Sequence, residues 1–312
     1  MRREGSAFHG LGTVILKELS DHFASARMRV LEWLVVLTAL AAVYGAIQQV
    51  RDVTAEDPFL FLRLFTTARE PLPSFVSFLS FLVPLMAIGL GFDSVNGEHS
   101  RRTLSRILSQ PIYRDALLFG KFLAGLATLS VSLIALWLLV IGLGLIMLGV
   151  PPGGEEMVRA LIFLFVTIAY AGVWLALAML FSVIFRSAAT AALVTLGIWL
   201  FVSVIWPALS SAIAEALFSN ADQATLVIAG QMLARLSPAT LFGESVLALL
   251  HPTTRTLGPV YLSQLQGAVM GAPLPIWDSI MVAWPQIVGL IAATILLFAG
   301  GYVAFQRQEV RA

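Results

Sequence analysis

Apolar residues come in long uncharged runs along this chain, at 33–50, 71–92, 122–154, 160–185, 187–214 and 279–306. A helix needs roughly 20 mostly apolar residues to cross a bilayer, so each run predicts one membrane-spanning helix. A seventh uncharged stretch, 256–277, holds Pro259, Pro273 and Pro275 together with Gln264 and Gln266. Its backbone and amide groups would go unsatisfied in lipid, which assigns it outside the bilayer. The pattern predicts six spans, at about 31–50, 71–92, 118–150, 159–185, 187–207 and 279–305, in a membrane domain of 31–306.

Between the spans the period changes. Over Phe8–Val30, Leu11, Ile15, Leu19 and Phe23 recur every four residues, with Lys17, Asp21 and Ser25 elsewhere on the wheel. This predicts a helix lying in the membrane interface, within a cytoplasmic N-terminal region of 1–30. It fits an anchor as well as a functional element. Between spans two and three, Leu104, Ile107, Leu108 and Ile112 share one helical face, and Arg101, Arg102, Ser105, Arg106 and Ser109 occupy the rest. Asn96 is the expected N-cap, Glu98 suits the positive helix N-terminus, and Pro111 closes the helix. The result is a cytoplasmic amphipathic helix in a segment of 93–117. It suits passing a push from a soluble partner to two spans, and it equally suits resting on anionic lipid.

The region 207–278 is extracytoplasmic in this reading. It carries two short helical pieces, Leu226–Leu236 and Leu241–Leu250, broken at Ser237-Pro238 and His251-Pro252. A loop this long carries structure of its own. It can cap a pathway, dock an extracytoplasmic partner, or simply cover the helix ends. The external loop over Arg51–Pro71 is of mixed charge.

Composition agrees with the runs. Of 312 residues, 59% are hydrophobic and 12% charged, and a soluble domain carries about 25% charged residues. The chain is an all-α integral membrane protein. It holds no cysteine, which excludes disulfides, thiolate metal sites and a cysteine nucleophile. A net charge of +1 argues against nucleic-acid binding. Thirteen of the 19 Lys and Arg residues fall on the side of the N-terminus, which places both termini, including the tail 307–312, in the cytoplasm. The multi-pass topology and this bias predict the cell (inner) membrane. No signal-peptide cleavage pattern precedes the first run.

Candidate chemistry is sparse. Gly120-Lys121 is not a phosphate loop: Asp115 stands where the first glycine belongs, and Phe122 follows the lysine. Gly243-Glu244-Ser245-Val246-Leu247 fails the nucleophile-elbow pattern at its fifth position. The histidines (His9, His22, His99, His251) are scattered, and no metal site is expected. No ionisable residue falls near the centre of a predicted span, which weighs against an ion-driven secondary transporter, the other transport class. Ser74, Ser77 and Ser80 on span two, with Thr195 and Ser203 on span five, are candidate pathway-lining residues, and Ser and Thr serve helix packing equally.

From span two into span three the chain resembles permeases of the ABC-2 transporter family, and within it the NosY-like branch. The likeness is carried by Phe92-Asp93, Gly97-Glu98, Thr103-Leu104, Ser109-Gln110-Pro111, Arg114 and Gly120-Lys121-Phe122. Lys17-Glu18-Leu19, Leu236-Ser237-Pro238 and Leu241-Phe242 add to it. Many family members have Gly before the Thr-Leu pair; this chain has Arg102, which alters how the helix seats on a partner.

The resemblance implies a type V permease fold: six spans, an N-terminal elbow helix, a cytoplasmic coupling helix at 96–111, and a helical extracytoplasmic region before span six. It also implies a homodimer driven by two separate ABC ATPase subunits, which hold the ATP and Mg. This chain itself holds no cofactor and catalyses nothing. Glu98, Arg101, Arg102, Thr103, Leu104, Arg106, Leu108, Pro111 and Arg114 are the implied ATPase-coupling residues. The implied activity is efflux of a hydrophobic or amphipathic compound. The NosY-like branch adds an alternative, an accessory permease for maturation of a periplasmic copper enzyme.

Overall fold

The structure is a computed structural model. It describes residues 10–51, 59–100, 113–149, 151–257 and 273–307. These residues are almost wholly helical. In chain order the elements are α1 (Leu11–Ala24), α2 (Ala26–Arg51), α3 (Arg63–Thr66), α4 (Phe75–Gly91), α5 (Asn96–Ser100), α6 (Arg114–Leu148), α7 (Gly154–Ile184) and α8 (Ala188–Leu200). A π-helical stretch, Phe201–Ile205, runs from α8 into α9 (Trp206–Leu217). Then come α10 (Gln223–Ala234), α11 (Pro238–Leu250) and α12 (Ile276–Arg307).

Six helices among the described residues are long and apolar enough to cross a membrane: Ala26–Val50, Phe75–Ser100, Arg114–Leu148, Gly154–Ile184, Ala188–Leu217 and Ile276–Arg307. Their ends follow from local chemistry. Ser25 breaks α1 from α2 with an extended backbone, and its Oγ accepts the Met28 N–H at 3.1 Å. Gly149 closes α6 at φ 72°, a left-handed conformation that costs glycine little. At the start of α7, Glu156 accepts the Gly153 N–H through Oε2 at 2.7 Å and the Phe61 N–H through Oε1 at 2.8 Å. One carboxylate thus caps a span and holds the loop that precedes α3.

α7 is the central column. Tyr170, Trp174, Phe163 and Val166 on it are buried. The Tyr170 hydroxyl donates to the Ser80 carbonyl on α4 at 3.0 Å. Its ring stacks on Phe242 of α11, with centroids 4.5 Å apart and planes 12° apart. Tyr170 stands midway along α7, so α11 reaches into the bundle rather than lying across its outer end.

This differs from the expectation for 207–278. The fifth long helix runs on to Leu217, and α10 and α11 form a pair bent by 111°. Trp206 donates to the Leu233 carbonyl at 2.8 Å, so α10 folds back along α9. α11 then packs between α7 and α12, with Phe242, Ser245, Ala248 and Leu249 fully enclosed. Two charged residues accompany it. Glu244 accepts from Arg235 Nε at 2.8 Å and from Gln286 Nε2 at 2.8 Å. Gln286 is ten residues into α12, roughly 15 Å below that helix's first turn. The two charges cancel, and the amide takes part of the carboxylate's remaining capacity; this lets a short apolar helix sit among the spans.

α1 also departs from its predicted orientation. The face that packs on α6 is centred on Val14 and Glu18, whereas Phe23 is exposed. Close approach is set by Gly120 on α6, where a Cβ would lie 2.6 Å from Val14 Cγ1. Gly120→Val is expected to cost about 1–3 kcal/mol by overpacking. Limited proteolysis checks this: cleavage near residue 25 should rise while the spans stay intact.

Candidate functional site

The segment between the second and third spans is rooted in a cluster of polar contacts at one end of the bundle. Lys121, in the second turn of α6, is 5% exposed. Its ammonium lies 2.9 Å from Glu18 Oε1 on α1 and 2.7 Å from Glu98 Oε1 on α5. Lys17 adds a second cation to Glu18 at 2.8 Å and reaches Asp21 at 2.9 Å. Burial alone would raise the Glu18 carboxyl, but the Lys121 and Lys17 ammonium groups outweigh it and hold the group below its ordinary range. The same carboxylates raise Lys17 against the effect of its own burial. One buried lysine therefore ties the N-terminal helix, the start of the inter-span segment and the third span into a single unit.

Two further ties fix the segment's origin. Arg27 of α2 makes a bidentate pair with Asp93, at 2.9 and 3.1 Å, and its guanidinium stacks over Phe92 at 4.8 Å. Asn96 was the expected N-cap of the following helix, but its side chain is used elsewhere. It is 2% exposed and donates through Nδ2 to the Phe185 carbonyl at 3.2 Å. The Val95 and Asn96 N–H groups both point at Ser182 Oγ, at 3.0 and 3.3 Å. The turn out of the second span is thus fastened to the end of the fourth. On the sixth span, Tyr302 donates to Asp115 at 3.0 Å, and Gln306 donates to the same oxygen.

Of the coupling residues inferred from sequence, Glu98 stands in this cluster and Arg114 opens α6. Arg101, Arg102, Thr103, Leu104, Arg106, Leu108 and Pro111 lie outside the described residues. Sequence reasoning placed Lys121 and Glu18 in the resemblance but gave them no role. Their separation of 103 positions hides the pair, and only the Gly-Lys step on α6 hinted at it.

Among the described residues, hydrogen bonds join Ser74 to Ser77 on one turn of α4 but link none of the span-two candidates to those on span five. Ser74 caps α4, accepting the Ser77 N–H at 3.3 Å, and its hydroxyl contacts the Ser77 hydroxyl at 2.9 Å. Ser80 offers its carbonyl to Tyr170. Thr195 is fully buried and donates to the Ala191 carbonyl at 2.7 Å. Ser203 lies in the π-helical stretch, with no hydrogen-bond partner for its hydroxyl among the described residues.

At the opposite end of the bundle Arg159 of α7 is fully enclosed. It donates to Glu155 at 3.0 and 2.8 Å, to the Leu249 carbonyl at 3.1 Å, to Ser279 Oγ at 3.0 Å and to the Leu274 carbonyl at 2.6 Å. It therefore joins the fourth span, the end of α11, the chain entering α12, and α12 itself. No group of three or more His, Cys, Asp or Glu residues that could hold a metal occurs among the described residues.

The architecture has counterparts among known proteins. Residues 13–310 match the family model described as ABC-2 family transporter protein. A probable ABC transporter permease protein NosY of Pseudomonas aeruginosa is 41% identical over 59 residues, 19% of this chain and 22% of that protein. A second NosY, from Stutzerimonas stutzeri, is 33% identical over 90 residues, 28% of this chain and 33% of that protein. These matches span at most about a third of either relative. The family match covers nearly all of the present chain. With its helical bundle of six long apolar helices, the chain belongs to the ABC-2 transporter family as a multi-pass membrane protein.

Proposed function

We propose that this chain is the permease half of an ATP-driven exporter. Two copies form the pathway, and two ABC ATPase subunits, holding ATP and Mg, drive it through the cytoplasmic helix 96–111. The carrying observation is the buried Glu18–Lys121–Glu98 cluster. A push on the inter-span segment meets no slack there, because its first turn is tied to α1, α6 and α7 together. The orientation rests on the Lys and Arg bias, which puts both termini and this cluster in the cytoplasm of an inner-membrane protein. Leu200, Val204 and Ile205 on the fifth long helix are exposed in the single chain and form the proposed contact face for the second copy. The proposed cargo is a hydrophobic or amphipathic compound. The exposed Val227 and Met232 of α10 offer a surface to an extracytoplasmic partner.

Changing Arg101, Arg102 and Arg106 together to Glu places like charges where an ATPase groove would otherwise be matched, and ATP turnover by the purified complex is expected to fall about tenfold or more. Unchanged turnover in an intact complex overturns the coupling role. The similarity to the two NosY proteins supports a second reading, an accessory permease for maturation of a periplasmic copper enzyme. A deletion strain that still matures such an enzyme normally overturns it.

A further inference from the structure

A cleft of about 540 Å³ opens between the beginning of α2, the end of α4 and the first turns of α8. Its walls are Leu31, Leu85, Ile88, Phe92 and Leu196, and Arg27 stands at its rim. Ligand pockets of this volume are ordinary, but the chemistry of this one is divided. The interior is apolar, and among the described residues the only charged side chain lining it is Arg27. That residue is paired with Asp93, the first charged residue after the second span.

Depth identifies the level in the membrane. Arg27 lies in the first turn of a spanning helix and Asp93 just past the last turn of another. Trp33, a residue type that favours the headgroup boundary, is 66% exposed two turns further along α2, and Val30 beside the cleft is 67% exposed. The mouth therefore meets lipid at headgroup level, and the cavity runs from there toward the hydrocarbon.

From the apolar cleft below the Arg27–Asp93 rim, we infer that it is a phospholipid site, taking one acyl chain inside and a zwitterionic headgroup with a primary ammonium on the rim. Two of the guanidinium's five N–H donors are spent on Asp93. Among the described residues the other three meet no acceptor, and a phosphate matches a guanidinium fork well. The Asp93 oxygens each take one N–H from Arg27 and keep capacity for another donor, which a primary ammonium supplies. A quaternary ammonium has no N–H to give, and a glycerol headgroup carries no positive charge. The rim as a whole is neutral, so a net anionic lipid gains nothing beyond its phosphate contact. This assignment goes beyond the transport reading and does not depend on it.

The test uses the complete permease complex in nanodiscs, with phosphatidylethanolamine, phosphatidylcholine or phosphatidylglycerol carrying a photoactivatable acyl chain. Labelled positions are mapped by mass spectrometry. Phosphatidylethanolamine is expected to label 26–31, 85–92 and 192–196, roughly two- to fivefold more than the other two, the preference an exposed ion pair supplies. Ala192→Trp, which fills the cleft, should abolish labelling at all three stretches. Asp93→Asn should reduce phosphatidylethanolamine to the phosphatidylcholine level while the chain labelling itself remains. The second variant decides the matter if the first does not fold. Equal labelling by the three lipids overturns the headgroup assignment, as does a preference for phosphatidylglycerol. Absence of labelling from every lipid overturns the site itself, because a second copy or side-chain packing then fills the cleft.

Discussion

Replacing Lys121 by Met is expected to lower the stability of the chain by about 3–5 kcal/mol, the cost of removing one partner from a buried ion pair. The side chains of Glu18 and Glu98 are only 10% and 13% exposed, and Lys121 bridges them at 2.9 and 2.7 Å. Thermal unfolding of the purified chain in detergent checks the size. The triple variant Glu18→Gln, Lys121→Met, Glu98→Gln removes the three buried charges and should recover most of the loss. A single variant as stable as the parent would show that the cluster is solvated. The pH dependence has a definite sign. The folded Glu18 carboxyl titrates below its free value, so its contribution is full above about pH 5. It is lost as the pH falls through the lowered folded value, where protonation of the carboxylate weakens its hold on Lys121.

Replacing Arg159 by Met should have an effect of similar size at the other end of the bundle. Ser279 Oγ and the carbonyls of Leu249 and Leu274 would lose their donor, and Glu155 its partner. Each buried acceptor left without a donor costs about 1–3 kcal/mol, and more than one is affected. The expected sign is local: hydrogen exchange at 249–257 and 273–276 should accelerate before the spans come apart. Arg159→Lys should rescue little, because an ammonium is a compact point and the acceptors are spread around a planar fork. Protection of 249–257 and 273–276 in the Met variant equal to that of the parent would sink this role.

The number and order of the spans were legible because a bilayer demands long apolar runs, and such runs have no other use in a chain with 12% charged residues. The short helices of 207–278 were legible as helices, since Ser-Pro and His-Pro breaks mark their ends. Their depth was not. Glu244 and Arg235 look like loop charges on a line of text, and only their pairing, with Gln286 from 42 positions away, explains how α11 sits among the spans. The same reason hid the Lys121 cluster. A four-residue period on α1 picked out Leu11, Ile15, Leu19 and Phe23, but the buried line runs through Val14 and Glu18. Hydrophobicity alone cannot find a face whose central contact is an ion pair. Asn96 shows a further failing: a residue with high capping preference was claimed by a carbonyl 89 positions away.

The π-helical stretch Phe201–Ile205 has a geometric outcome for the fifth span. A π turn closes on i→i+5 and so inserts one residue relative to an α-helix, a phase offset of about 100°. The two halves of one continuous helix therefore present different stripes to the bundle. The lower stripe carries Trp199, whose ring meets Phe81 of α4 edge-on with centroids 4.9 Å apart. The upper stripe carries Trp206, which binds the end of α10. With an unbroken 3.6-residue period, an indole seven positions beyond Trp199 would lie on nearly the same side, and both rings would compete for the second span. The extra residue turns the upper indole aside, so one helix serves two neighbours that lie in different directions.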